Sequence, residues 1–339
     1  VAARKPFPWK WVAAVVILVG LLALAVRDID FHKFVATIAA SRWPLVAAAA
    51  VIALTVCMFA CSLRLWLLTL PLPIPPGRRH ITLADMTSVY LASSAGHHLL
   101  PAPGAEVLRT VHLKRRYGYS IAALVASQVV DRVIDALGLG LEIAVVAMVG
   151  QLPRAIHVSL GLFAAATLGG VGVIVLIAAR HGRRRALGLD GDLSNRGAIA
   201  AFIERLGEGV WTLRHPRIWA ASLACSIVND IANATTVGLC AAAAGVTLSP
   251  SAWFVAVLVA RLAGLLPSTP GQFGVVEAGL VAALAAFGVD QSVALAVAVL
   301  YHAAHFAPIT LVGLWELRRQ TQPVADAVVA TPVAVEEKT

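Results

Sequence analysis

Long apolar runs alternate with short stretches rich in arginine, lysine and proline, and this alternation predicts a series of helices long enough to cross a bilayer. Six stretches read as full crossings: 11–26, 45–70, 121–150, 156–179, 218–245 and 292–317. The brevity of the first and its Ala23-Leu24-Ala25 end also fit a cleavable signal peptide. Two further apolar regions are interrupted. Residues 81–100 enter well enough, but 105–116 carry Glu106, Arg109, Lys114, Arg115 and Arg116, which lipid does not accept, so the chain is expected to dip in and return. Residues 252–266 and 273–287 are each short for a crossing and flank a second break. Both are read as re-entrant hairpins, the first entered from the inside and the second from the outside. Phe31, Phe34, Val35 and Ile38 lie on one helical face, as do Ile199, Phe202, Ile203, Leu206, Val210 and Leu213, which predicts two helices lying in the membrane interface.

The two breaks echo each other. Leu99-Leu100-Pro101-Ala102-Pro103-Gly104-Ala105-Glu106 returns as Leu265-Leu266-Pro267-Ser268-Thr269-Pro270-Gly271-Gln272, with Glu277 soon after. Pro44 and Pro216 are 172 positions apart, Glu106 and Glu277 171, Gly118 and Gly288 170, and Ser120 and Ser292 172. In each half the order is span, interfacial helix, span, hairpin, span, with opposite membrane orientation. The expected architecture is therefore an all-α polytopic membrane protein with an inverted-topology repeat, about six full spans plus two opposed re-entrant hairpins. Residues 1–319 form a single membrane domain, with repeat one at about 8–150 and repeat two at about 155–317, and 320–339 read as a disordered cytoplasmic tail.

Composition agrees with the pattern: 59% of the residues are hydrophobic, 13% are charged, and the mean hydropathy is +0.83. The net charge of +9 resides mainly in loops and tails, at Arg4, Lys5 and Lys10, at Arg78 and Arg79, at Lys114–Arg116, at 180–185 and at Arg318 and Arg319. The positive-inside rule makes these cytoplasmic, with both termini inside and the chain in the cytoplasmic (inner) membrane. Scattered between spans, they do not form a nucleic-acid surface. Cys57, Cys61, Cys225 and Cys240 all fall in apolar stretches and read as buried thiols, giving neither a disulfide nor a metal site.

Charged and flexible residues inside the apolar stretches are the candidates for chemistry. Glu106 and Arg109, three apart, share a helical face and are expected either to pair or to flank an anionic headgroup. Arg132 sits a dozen residues into a span with Asp131 beside it and Asp135 one turn on, which would partly neutralise it. Glu277 has no charged neighbour in sequence and needs a partner from elsewhere, with Arg261 or Arg132 the candidates; left unpaired it would be protonated and suited to proton or cation coupling. Gly104, Gly271 and Gly274 permit tight turns whose freed amides can hold phosphate. Asn229, Asp230 and Asn233 form one face of a span, as cavity lining or as helix-bonding groups. His97 and His98 stand at a hairpin tip. His302 and His305 are too few ligands for a metal, and Arg64, near the cytoplasmic end of its span, reads as snorkelling to the interface.

Three motifs together resemble a known family, the membrane proteins that share the flippase domain of lysylphosphatidylglycerol synthases. They are Leu100–Arg109 with Arg115-Arg116-Tyr117-Gly118-Tyr119-Ser120, then Val130-Asp131-Arg132-Val133-Ile134-Asp135, then Pro270-Gly271-Gln272-Phe273-Gly274-Val275-Val276-Glu277-Ala278. The pattern departs at Ala105, where a glycine is usual, at Asp131, where glutamate is usual, and at His302, where an arginine is expected. The resemblance implies translocation of a phospholipid or polyisoprenoid-linked lipid. No soluble stretch here is long enough for the aminoacyl-transferase domain of the named synthases. The expectation is a lipid flippase-like protein, not an enzyme, without metal or cofactor. Its partners would be the membrane and an anionic or polyprenyl-phosphate lipid, with no nucleic acid. Glu106, Arg109, Arg132, Asp135, Glu277, Gly104, Gly271 and Gly274 would form the substrate site. With no nucleotide-binding motif, movement would be downhill or driven by an ion gradient. The alternatives are a membrane-embedded transferase on a lipid substrate, with Glu277 or Asp135 as base, and an accessory subunit of a cell-envelope system.

Overall fold

The computed structural model describes residues 29–99, 104–149, 215–264 and 270–330 and, between 149 and 215, residues 158, 161, 162, 164–170, 172, 173 and 176. The first span (11–26), the interfacial helix of 199–213, most of the span at 156–179 and the break residues 100–103 and 265–269 lie outside the described residues. So do the tail residues 331–339.

Helices account for every regular element among the described residues: α1 (Phe31–Ala39), α2 (Trp43–Thr69), α3 (Leu83–Leu99), α4 (Gly104–Tyr117), α5 (Ile121–Val149), α6 (Pro216–Ala243), α7 (Pro250–Ala263), α8 (Val275–Ala286) and α9 (Gln291–Ala330). Their ends follow from local sequence. Pro44, Pro216 and Pro250 sit in the first turns of α2, α6 and α7, where a missing N–H costs nothing. Asp30 caps α1 by accepting from His32 N and Lys33 N. Four prolines between Pro71 and Pro76 prevent α2 from continuing. Inside α2, residues Ala53–Cys57 form one π-helical turn, which rotates the face carrying Cys61 and Arg64 relative to the residues before it.

α2, α6 and α9 are long and apolar enough to cross a membrane. α5 is as long but carries Asp131, Arg132, Asp135 and Glu142. The two interrupted regions are helical hairpins, α3 packing on α4 and α7 on α8. The main core joins α2, α6, α7, α8 and α9 through small side chains, among them Ala49, Ala234, Ala256, Ala294 and Ala298, all sealed from solvent. Small residues let helix backbones approach where lipid offers no hydrophobic drive between helices. α1 buries nothing and leaves Phe31 and Val35 open, as an interfacial helix would. It is tied to the start of α9 by Asp30 N donating to Ser292 Oγ (2.9 Å) and by the Lys33–Asp290 pair (2.9 Å).

At the other end of α9 the basic residues gather. Arg116 accepts a hydrogen bond on its carbonyl from Arg78 and faces Asp85, while Glu316 binds both Ser88 and Arg319. The chain thus has one cation-rich end and an opposite end at α1 and Asp290. α9 runs past Arg319 to Ala330.

Candidate functional site

The helical period orders the charges of α5. Asp131, Asp135, Gly138 and Glu142 fall at steps of four, three and four and share one face, whereas Arg132 lies about 100° away from Asp131. Two environments result.

On the shared face is a network of buried ion pairs. Arg64 of α2 does not snorkel: it is buried, its Nε 2.7 Å from Asp131 Oδ1 and its Nη1 2.7 Å from Asp135 Oδ1. The same Nη1 donates to Ser226 Oγ of α6. The π turn and the pull of two carboxylates aim this side chain inward rather than towards the interface. Arg261 of α7 extends the network, with Nη2 2.8 Å from Asp135 Oδ2 and Nη1 in contact with Asp230 Oδ1 of α6. Four helices are thereby joined by two guanidiniums. Asn229 donates to Asp230 and accepts from Cys61, and Asn233 Oδ1 accepts from His305 Nε2 (2.9 Å), so this polar face of α6 bonds helices.

On the other face, Arg132 reaches Glu106 of α4 at 2.6 Å, its side chain 62% exposed. This corrects two sequence expectations. Asp135 makes its ion pairs with Arg64 and Arg261 rather than with Arg132; and Glu106 pairs with Arg132, not with Arg109. Arg109 turns instead into the protein, 5% exposed, where its guanidinium lies over the Tyr90 ring (4.5 Å to the centroid) and its Nε donates to Ser93 Oγ at 3.3 Å. It has no carboxylate within salt-bridge distance among the described residues. Gly104 opens α4 directly before these residues.

The second hairpin turns through residues with positive φ: Gly271 at +76°, Gln272 at +59° and Gly274 at +88°. At Gly271 a Cβ would also come within 2.7 Å of Phe306 and 2.9 Å of Phe273, so both backbone and space require glycine. Glu277, in the first turn of α8, accepts from Gly274 N (2.6 Å) and lies 2.7 Å from His302 Nδ1. Its partner is therefore His302 of α9, not Arg261 or Arg132. Sequence distance hid this: Arg261 is engaged by Asp135 and Asp230, and Arg132 by Glu106. Where the family resemblance leads one to expect arginine at 302, a histidine fills the role.

Both hairpin tips meet α9. Phe273 stacks on His302 (4.4 Å between centroids) and contacts Phe306; His98 from the tip of α3 stacks on Phe306 (4.7 Å) and hydrogen-bonds Thr310 at 2.7 Å. α3 also packs on the 3-10 turn Pro270–Gln272. His98 feels His97 and His302, and His97 feels Glu106, Arg132 and Arg109. These side chains form a strip from Glu277 through the histidines to Glu106 and Arg109, with Phe306 packed between His302 and His98. α2, α3 and α6 enclose an open-sided apolar groove of about 770 Å³, lined by Met58, Leu63, Leu67, Leu91, Cys225 and Val228. Cys225 adjoins Ser226, the Arg64 partner.

No group of three or more His, Cys, Asp or Glu able to hold a metal occurs among the described residues, and the four cysteines are free and buried. Sequence reasoning missed the role of Arg64 and gave Glu142 no notice. The four-three-four spacing from Asp131 was the available signal for Glu142.

Fold and site together define a polytopic helical membrane protein with a charged interior between paired hairpins. Over residues 11–313 the chain matches the family described as the lysylphosphatidylglycerol synthase TM region, and it belongs to that family. No curated protein matches it.

Proposed function

We propose that this protein moves an anionic lipid, a phospholipid or a polyisoprenoid-linked lipid, across the cytoplasmic membrane, passing the headgroup along the polar strip while the chains stay in the apolar phase. The observation that carries this reading is Arg109. A guanidinium brought into a membrane interior without a paired carboxylate is costly, and two phosphate oxygens supply the bidentate acceptor that its planar fork lacks. Membership of a family named for a lipid synthase supports a lipid as the partner. The groove supports it too, since about 770 Å³ of apolar space suits a hydrocarbon chain and lies next to the charged network.

In this reading the hairpins are re-entrant, related by the inverted repeat, and their contact on α9 is the barrier that opens to one side and then the other. The cation-rich end faces the cytoplasm, as do both termini. Arg132 and Glu106 stand at the cytoplasmic mouth, Asp135 fixes the guanidiniums behind them, and Gly104, Gly271 and Gly274 shape the hairpin turns.

The test is headgroup accessibility of fluorescent phospholipids and polyprenyl phosphates in proteoliposomes. Protein-dependent movement that Arg132→Ala and Glu277→Gln each reduce at least tenfold, with the fold intact, is the expected result. Movement that neither substitution alters overturns the assignment of the site. No movement of any lipid favours a lipid-linked transferase or an accessory subunit.

A further inference from the structure

The buried network does not balance. Arg64 and Arg261 face four carboxyl groups, those of Asp131, Asp135, Asp230 and Glu142. Arg132 is taken by Glu106. Three of the four acids have oxygens placed on guanidiniums. Glu142 has none among the described residues, and its carboxyl faces that of Asp230.

The oxygens tell the same story atom by atom. Glu142 Oε2 and Asp230 Oδ2 are both sealed from solvent, and neither has a donor among the described residues. Asp230 as a whole is 1% exposed. Its Oδ2 points at α5: a Cβ on Gly138 would lie 3.8 Å from it, and Glu142 is one turn further along that face. Gly138 is what admits this approach, since its Cβ would also come within 2.9 Å of Ser226 Cβ. Two carboxylates that meet in a low-dielectric interior cannot both ionise, and a single proton between them gives each bare oxygen a hydrogen bond.

We propose that Glu142 and Asp230 hold one exchangeable proton between them across the α5–α6 contact, forming a proton-binding site inside the membrane domain. The groups facing it are Arg261 of α7, Asp135 of α5, Arg64 of α2 and Asn229 of α6, with Cys57 of α2 and Tyr301 of α9 further off. A metal cation does not fit: two bare oxygens are too few ligands, and the Arg261 guanidinium already touches one of the acids. Loss of the proton has a defined consequence. Arg261, now held by Asp135 and Asp230, is the cation within reach of Glu142, so deprotonation draws it along α5 from Asp135 towards Glu142.

The site itself stands apart from the translocation reading; its use as the coupling site of a proton-driven carrier rests on that reading. Infrared titration of the purified full-length chain in nanodiscs tests the site without any transport. The expected result is a carboxylic-acid C=O band persisting at about pH 7, where ordinary carboxyls, titrating near pH 4, are ionised. Glu142→Gln and Asp230→Asn each remove it, because the remaining acid then pairs with Arg261. The wild-type band alone keeps the test decisive if a variant fails to fold, and Glu142→Asp, which keeps the acid, shifts the band rather than abolishing it. Absence of the band in the wild type, its persistence in Glu142→Gln, or its loss on exchanging potassium for sodium at fixed pH overturns the proposal. In proteoliposomes, a tenfold proton gradient changes the wild-type rate several-fold and the Glu142→Gln rate not at all. An infrared band without lipid movement sinks translocation and leaves the proton site; lipid movement without the band does the reverse.

Discussion

At the scale of single residues, Arg64 organises more of this molecule than its place near a span end implies. It neutralises Asp131 and Asp135 at once and adds a bond to Ser226. Replacing it by methionine keeps the stem and strands two carboxylates, a change worth about 3–5 kcal/mol in comparable buried pairs. Arg64→Met is therefore expected to lower the midpoint of denaturant unfolding sharply, and adding Asp131→Asn to recover part of the loss. Gly271→Ala is the second expectation: a positive φ and two aromatic neighbours oppose the methyl, so about 1–3 kcal/mol of stability is lost. Circular dichroism during detergent unfolding measures both. These charges were partly legible in the sequence. Helical period alone separates Arg132 from the Asp131, Asp135, Glu142 face, but three-residue spacing invites a local pair with Asp135 and conceals the stronger long-range partners. The Glu277–His302 contact joins residues that periodicity cannot relate, since they belong to different helices.

At the scale of elements, one glycine sets the contact between α5 and α6. α5 and α6 approach only because position 138 has no side chain, and Gly138→Leu is expected to push them apart. The predicted result is a fold that survives in detergent with reduced stability and loses the infrared signature of the shared proton; an unchanged signature would show that the two helices have room to spare. The α1 tether behaves differently. Lys33 beside Asp290 holds that carboxyl below the ordinary range, so the attraction is present at neutral pH and fades as acid titrates the aspartate. Both side chains are about half exposed, and salt screens the pair. Among the described residues, helix boundaries were readable to within a few residues, because Pro and Gly interrupt apolar runs where the chain turns.

At the scale of the whole molecule, the distribution of charge supports the proposed orientation. Arg78, Arg116 and Arg319 mark one end and Lys33 with Asp290 the other, with α9 joining them. Single cysteines at 290 and 319, in a chain whose own cysteines are buried, should react with a membrane-impermeant maleimide from opposite sides of the bilayer. Labelling of both from one side would contradict the assigned topology. The offsets between the halves predict an inverted repeat; what the structure adds is that both hairpin tips meet on α9, through the stacking of Phe273 on His302 and of His98 on Phe306.

The most direct measurement compares lipids that differ only in headgroup charge, an anionic and a zwitterionic phospholipid with the same chains, for protein-dependent movement in proteoliposomes of wild type, Arg109→Lys and Arg109→Ala. The account predicts faster movement of the anionic lipid, partly retained with lysine and reduced at least tenfold with alanine. Equal rates for both headgroups, or an anionic rate untouched by Arg109→Ala in a folded protein, would contradict it.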